Sequence, residues 1–111
     1  MKAKRPTITT GQGSLPVTAE SIARHAASLV GGDRQKTHGD KVRNHANIST
    51  LWNAYLGIRP DPAAPISPLD AAHMMLLLKV ARTQLGGFNA DNWVDACGYA
   101  GVAGEIAERS K

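Results

Sequence analysis

The sequence predicts an all-α protein, a small bundle of about four helices preceded by a disordered or extended N-terminal arm. Three observations carry that expectation. Apolar residues recur at helical spacing in several stretches, and each stretch is bounded by a capping residue, a glycine pair or a proline. The chain is 42% apolar but only 5% aromatic, so Leu, Ile, Val, Met and Ala must make the core. At 111 residues it is long enough for one domain that buries a core without staples. The expected division is an arm over residues 1–17 and a single helical domain over 18–111.

The arm holds Pro6, Gly11, Gly13 and Pro16 among Thr and Ser, a composition that favours turns. Thr18 then suits the N-cap of a first helix over about 19–30, with Glu20 in its first turn and Gly31-Gly32 at its end. Residues Gly32-Asp-Arg-Gln-Lys-Thr-His-Gly39 read as a polar loop that leads to Asp40, the next N-cap. Val42, His45, Ile48, Leu51, Trp52 and Tyr55 share one side of a second helix, which Gly57 is expected to stop. Arg59-Pro-Asp-Pro-Ala-Ala-Pro65 is a stiff linker because of its prolines.

Ser67-Pro-Leu-Asp70 has the pattern of a capping box with Pro at the first helical position. The third helix should run from there to about Leu85, closed by Gly86-Gly87. Its interior, Met74-Met-Leu-Leu-Leu-Lys-Val-Ala81, is apolar on nearly every side, as expected of the central helix. A fourth helix is expected from about Ala90 to Glu108, capped by Asn89. It carries Gly98, Gly101 and Gly104, and each glycine costs about 0.8–1 kcal/mol of helix propensity relative to Ala. Close approach of another helix or of a ligand would compensate that cost, so a homo-oligomer formed through this helix is expected.

The formal charge is +4, but Lys2, Lys4 and Arg5 lie in the arm, and the rest is only about one charge positive. With no basic stripe interleaved with aromatics, nucleic acid is not the expected partner. No apolar run approaches the ~20 residues of a membrane span, and the basic start lacks the apolar stretch of a secretory signal. The single cysteine, Cys97, allows no internal disulfide, and the cytoplasm is the expected compartment.

Candidate chemistry gathers in two places. Arg34, Lys36 and His38 sit in a glycine-bounded loop before a helix N-terminus, an arrangement suited to phosphate, although the loop equally reads as a solvated connection. Lys79 and Arg82 form the polar stripe of the third helix and are further candidate phosphate ligands. On the fourth helix Asp91, Asp95, Gly98, Val102, Glu105 and Arg109 fall in one narrow sector. Asp91 and Asp95, with Asp70, are the candidate ligands for Mg²⁺, a hard ion that takes carboxylates together with substrate phosphates. The alternative is plain: acids favour a helix N-terminus, Asp95 pairs with Arg82 or Lys79, and Asp70 completes a cap. Trp52, Tyr55 and Trp93 are core residues or, in the second reading, a stacking surface for a nucleobase.

Four blocks, Gly32-Asp-Arg-Gln-Lys-Thr-His-Gly39, Leu51-Trp-Asn-Ala-Tyr-Leu-Gly57, Asp70-Ala-Ala-His-Met-Met-Leu-Leu-Leu-Lys-Val-Ala-Arg82 and Asp91-Asn-Trp-Val-Asp-Ala-Cys-Gly-Tyr-Ala100, follow in one order. Over about residues 19–107 the chain resembles short, functionally uncharacterised proteins of tailed phages and prophages. More loosely it is similar to the MazG-like pyrophosphohydrolases, which implies an all-helical fold and Mg²⁺-dependent splitting of nucleoside triphosphates. Asp91 and Asp95 would match the late acidic pair of those enzymes at a spacing of four rather than three. Where they carry a Glu-Glu-x-x-Glu cluster, this chain reads Lys41-Val-Arg-Asn-His45. Other ligands would have to come from Glu20, Asp33, Asp40 or a second subunit. The resulting expectation is a protein that binds a phosphorylated small molecule, a nucleotide, with or without turnover. The alternative is a non-enzymatic, oligomeric interaction protein, or one that sequesters a host nucleotide.

Overall fold

The computed structural model describes residues 6–10, 13–31 and 40–111. Among the described residues are four helices and one short β-ribbon, in the all-α class expected. The chain divides into two compact units, residues 1–35 and 36–111.

In the first unit, within the stretch expected as an arm, strands β1 (Thr7–Thr10) and β2 (Gly13–Pro16) pair antiparallel, with Ile8 opposite Leu15 and Thr9 opposite Ser14. β-Branched residues fill β1, and Gly13 takes φ +103°, a conformation that other residues rarely adopt. The ladder extends by Val17 N–H donating to the Pro6 carbonyl at 3.0 Å. Helix α1 (Ala19–Gly31) starts where Thr18 Oγ1 accepts from the Ser21 N–H at 3.0 Å, so Thr18 caps as expected. Ser21 is the buried residue of α1. Its hydroxyl accepts from the Thr18 N–H and donates to the Pro16 carbonyl at 2.6 Å, which ties the helix to the ribbon.

The second unit holds α2 (Lys41–Ile58), α3 (Pro68–Arg82) and α4 (Asp91–Arg109). Asp40 caps α2, its carboxylate accepting from the N–H groups of Val42 and Arg43. Gly57 does not stop this helix. The turn continues to Ile58, and the break falls at Arg59, which is extended at φ −61°, ψ 152° because the Pro60 ring disfavours helical backbone before it. Ser67 and Asp70 form the full capping box of α3, with Pro68 in the first turn. α3 ends at Arg82, three residues earlier than expected. There the Thr83 hydroxyl turns back onto the Val80 carbonyl at 2.6 Å, and Gly86 takes φ +78° in the connection. At the start of α4 Ala90 holds the cap position with no side-chain bond, and the expected cap, Asn89, sits one residue further out, its side-chain oxygen accepting from the Asp91 N–H at 3.0 Å.

α3 packs against both α2 and α4, most extensively against α4, and is the central element of this unit as its sequence implied. Ile48 of α2, Ala72, Met74 and Ala81 of α3 and Ala103 of α4 are the buried apolar residues among those described in this unit. Trp52 donates its indole N–H to the Met74 carbonyl at 2.6 Å and so joins α2 to α3. Small residues dominate the interior, and no large side chain among the described residues is completely covered. No described helix is long and apolar enough to cross a membrane.

Candidate functional site

The densest polar cluster surrounds Asp70 at the start of α3. Its Oδ2 accepts from Arg59 Nη1 at 2.8 Å and from the Ser67 N–H at 2.9 Å, while Oδ1 accepts from the Tyr55 hydroxyl at 2.6 Å. The Ser67 N–H, the Tyr55 hydroxyl and Arg59, in that order except for an opposing effect of burial, hold the Asp70 carboxyl far below the usual carboxylate range. Tyr55 moves the other way. Burial first, then its bond to Asp70 and the Asp70 charge, push it up to about 12. Because the Tyr55 proton is directed at Asp70, the contact between Tyr55 and His73 Nδ1 at 2.9 Å is made by an Nδ1–H donor. The two rings meet edge-on at 5.5 Å.

Arg59 spends all its N–H groups here: on the carbonyls of Leu56, Pro62, Ala64 and Pro65, and on Asp70. The guanidinium therefore closes the three-proline loop on itself and anchors it to α3. Asp70, a candidate metal ligand from the sequence, has both oxygens committed to this closure.

Lys79 and Asp95 meet on the α3–α4 seam at 2.9 Å, with side chains 14% and 45% exposed. The second expected partner of Asp95, Arg82, is half-buried in the last turn of α3, and its guanidinium makes no ion pair or hydrogen bond with a described residue. Asp91 is exposed one turn before Asp95. Asp70 lies nine residues before Lys79, roughly 13 Å along the α3 axis. The three candidate acids thus divide between two places. Among the described residues no group of three His, Cys, Asp or Glu side chains is arranged to hold a metal ion. Arg34, Lys36 and His38 lie outside the described residues.

α4 carries a third feature. Trp93, Val94, Cys97, Gly98, Gly101 and Val102 line a shallow apolar groove on its outer face, with Glu105 at the far end. A Cβ placed on Gly98, Gly101 or Gly104 would meet nothing within 4 Å. The helix therefore gives up about 0.8–1 kcal/mol at each of these positions without any neighbour among the described residues using the space. Val94 is 65% exposed, and Trp93, 53% exposed, stacks on Phe88 at 5.4 Å.

Two of these elements escaped the sequence reading. Arg59 was visible only as the first residue of a linker, and its role depends on carbonyls that face it once three prolines have bent the chain. Phe88 lay between a glycine pair and a cap, with no periodic pattern to mark it.

An all-helical unit with a stabilising Arg–Asp–Tyr knot and an uncovered α4 face is what the chain presents to comparison. A family profile described as a domain of unknown function (DUF6378) matches residues 21–107, and the chain belongs to this family. It is 42% identical over 82 residues to the Gene 55 protein of Mycobacterium phage L5, a match covering 74% of this chain and 49% of that protein. It is 36% identical over 90 residues to the Gene 55 protein of Mycobacterium phage D29, covering 81% and 56%. The chain thus spans about half the length of these relatives. No solved structure matches it. These matches support the likeness to phage proteins and lend nothing to the pyrophosphohydrolase likeness.

Proposed function

We propose that this member of a phage protein family binds a phosphorylated small molecule, a nucleotide in the first instance, at the cationic end of α3, and that it binds without hydrolysing. Arg82 is the observation that carries the reading. Lys79 is neutralised by Asp95, whereas the half-buried guanidinium one turn on has no carboxylate partner among the described residues. A phosphate offers Arg82 the bidentate acceptor that no described side chain supplies. Lys79, held by Asp95, borders the same end of the helix. Binding without turnover is favoured because Asp70 is occupied by Arg59 and Tyr55 and stands apart from Asp91 and Asp95. Mg²⁺ would then arrive with the phosphates of the ligand, and the exposed Asp91 is the carboxylate available to it.

Thermal shift against a panel of nucleoside triphosphates, dinucleotides and cyclic nucleotides tests this, with and without Mg²⁺. A ligand at 100 times its dissociation constant should add about 2.7 kcal/mol of stability. The gain should vanish in Arg82→Ala. Arg34→Ala, Lys36→Ala and His38→Ala test the remaining sequence candidates in the same assay. Silence across the panel removes the reading, and pyrophosphate release that is lost in Asp95→Asn replaces it with the enzymatic version.

A further inference from the structure

We propose that the α4 groove is the contact face of a homodimer in which two copies of α4 lie antiparallel about Ala100, with Val102 of each over Gly98 of the other. This face is self-complementary, whether or not a nucleotide is bound. The groove joins open notches at Gly98 and Gly101 to exposed apolar side chains at Val94 and Val102, all on one helix face. A notch beside a ridge on the same helix fits a second copy of that helix turned end for end, so that each contact occurs twice.

Charge fixes the register. When Val102 of one copy sits over Gly98 of the other, Asp91 falls opposite Arg109 of the partner copy, and the same pairing repeats at the other end. These four residues lie in one sector of the α4 wheel, so they share the flank at which antiparallel helices meet. The register also sets Asp95 near Glu105 of the partner copy. Each of those carboxylates already has a cation, Lys79 at 2.9 Å and Arg109 at 3.1 Å. Arg109 would bridge Glu105 of its own chain and Asp91 of the other, giving a run of alternating sign along the flank. The antiparallel sense also sets the N-terminal end of each helix dipole beside the C-terminal end of its neighbour. A parallel pair would place Asp91 beside Asp91 and lose both gains.

Sedimentation equilibrium of the whole chain, without nucleotide, tests the proposal. A concentration-dependent dimer is expected, as suits an interface of one helix per copy. Gly98→Leu with Gly101→Leu fills both notches and should shift the protein to monomer. Leucine is the better helix former and the space is open within the chain, so helix content and Tm of the dilute protein should hold or rise. That combination separates loss of the interface from loss of the fold. Asp91→Arg or Arg109→Asp alone should weaken the dimer several-fold, and the two together should restore it. A protein monomeric at all concentrations overturns the proposal and leaves the groove to a different partner. So does a dimer indifferent to the leucines, and a failure of the double charge swap to recover.

Discussion

Arg59 and Asp70 lie 2.8 Å apart with side chains 10% and 12% exposed, and that bond is one of several by which a single guanidinium holds a whole loop. The remaining donors go to backbone carbonyls that water would otherwise satisfy. The pair is therefore a structural clasp between α2 and α3 rather than a reactive group waiting for a ligand.

Arg59→Lys keeps the charge and loses the fork. Lysine can reach Asp70, but it cannot also hold the carbonyls of Leu56, Pro62 and Ala64. Each lost bond of this kind costs about 0.5–1.5 kcal/mol. The denaturant midpoint should fall accordingly, and a midpoint equal to that of the native sequence would show that the fork contributes nothing.

The same cluster sets both arms of the pH profile. The Asp70 carboxyl is held below its unfolded value of 3.8, so its contribution is present above about that pH and is lost as pH falls further. Tyr55 is raised from 10.0 to about 12, so its contribution is complete below pH 10 and is lost as pH climbs towards 12. Thermal midpoints measured across this range should decline at both ends. Asp70→Asn should flatten the acid arm, and Tyr55→Phe the alkaline one.

Lys79 and Asp95 should respond unequally to substitution. Lys79 is the more buried, so Asp95→Ala strands a charge that Lys79→Met removes while filling the same space. With Asp95 nearly half exposed, the pair itself is worth no more than about 1 kcal/mol, and salt should weaken it. Equal losses of Tm in the two variants would contradict the assignment of Lys79 as the covered partner.

Gly104→Ala should stabilise the protein by about 0.8–1 kcal/mol, because the new methyl meets nothing and Ala is the better helix former. Gly104 is not among the groove residues, so this gain should come with no change in oligomeric state. A fall in Tm would mean that some neighbour does approach it.

The helix starts were legible where one side chain does the capping: Thr18, Asp40 and Ser67 are read from local chemistry and act locally. So was the pairing of Asp95, since Lys79 already formed the polar stripe of α3. Helix ends were less legible, because Gly57 competes with Pro60 and a glycine permits a stop where a proline enforces one. The β-branched run at Thr7–Thr10 was in view, but its pairing with Gly13–Pro16 needs a backbone turn that residue type alone does not force. The candidate acids looked like one set on paper because type and helical position were known. The distance along α3 and the carbonyl-lined seat of Arg59 arise only from the fold.

The closed loop at Arg59 bears on the order in which the chain takes shape. Prolines at 60, 62 and 65 narrow the unfolded loop before any contact forms, so little closure entropy remains to be lost when Arg59 finds Asp70 eleven residues on. The Tyr55–Asp70 and Trp52–Met74 bonds, at separations of 15 and 22 residues, close across the same stiffened connection. α2 and α3 are thus joined by a connection that has little freedom left to lose on closing.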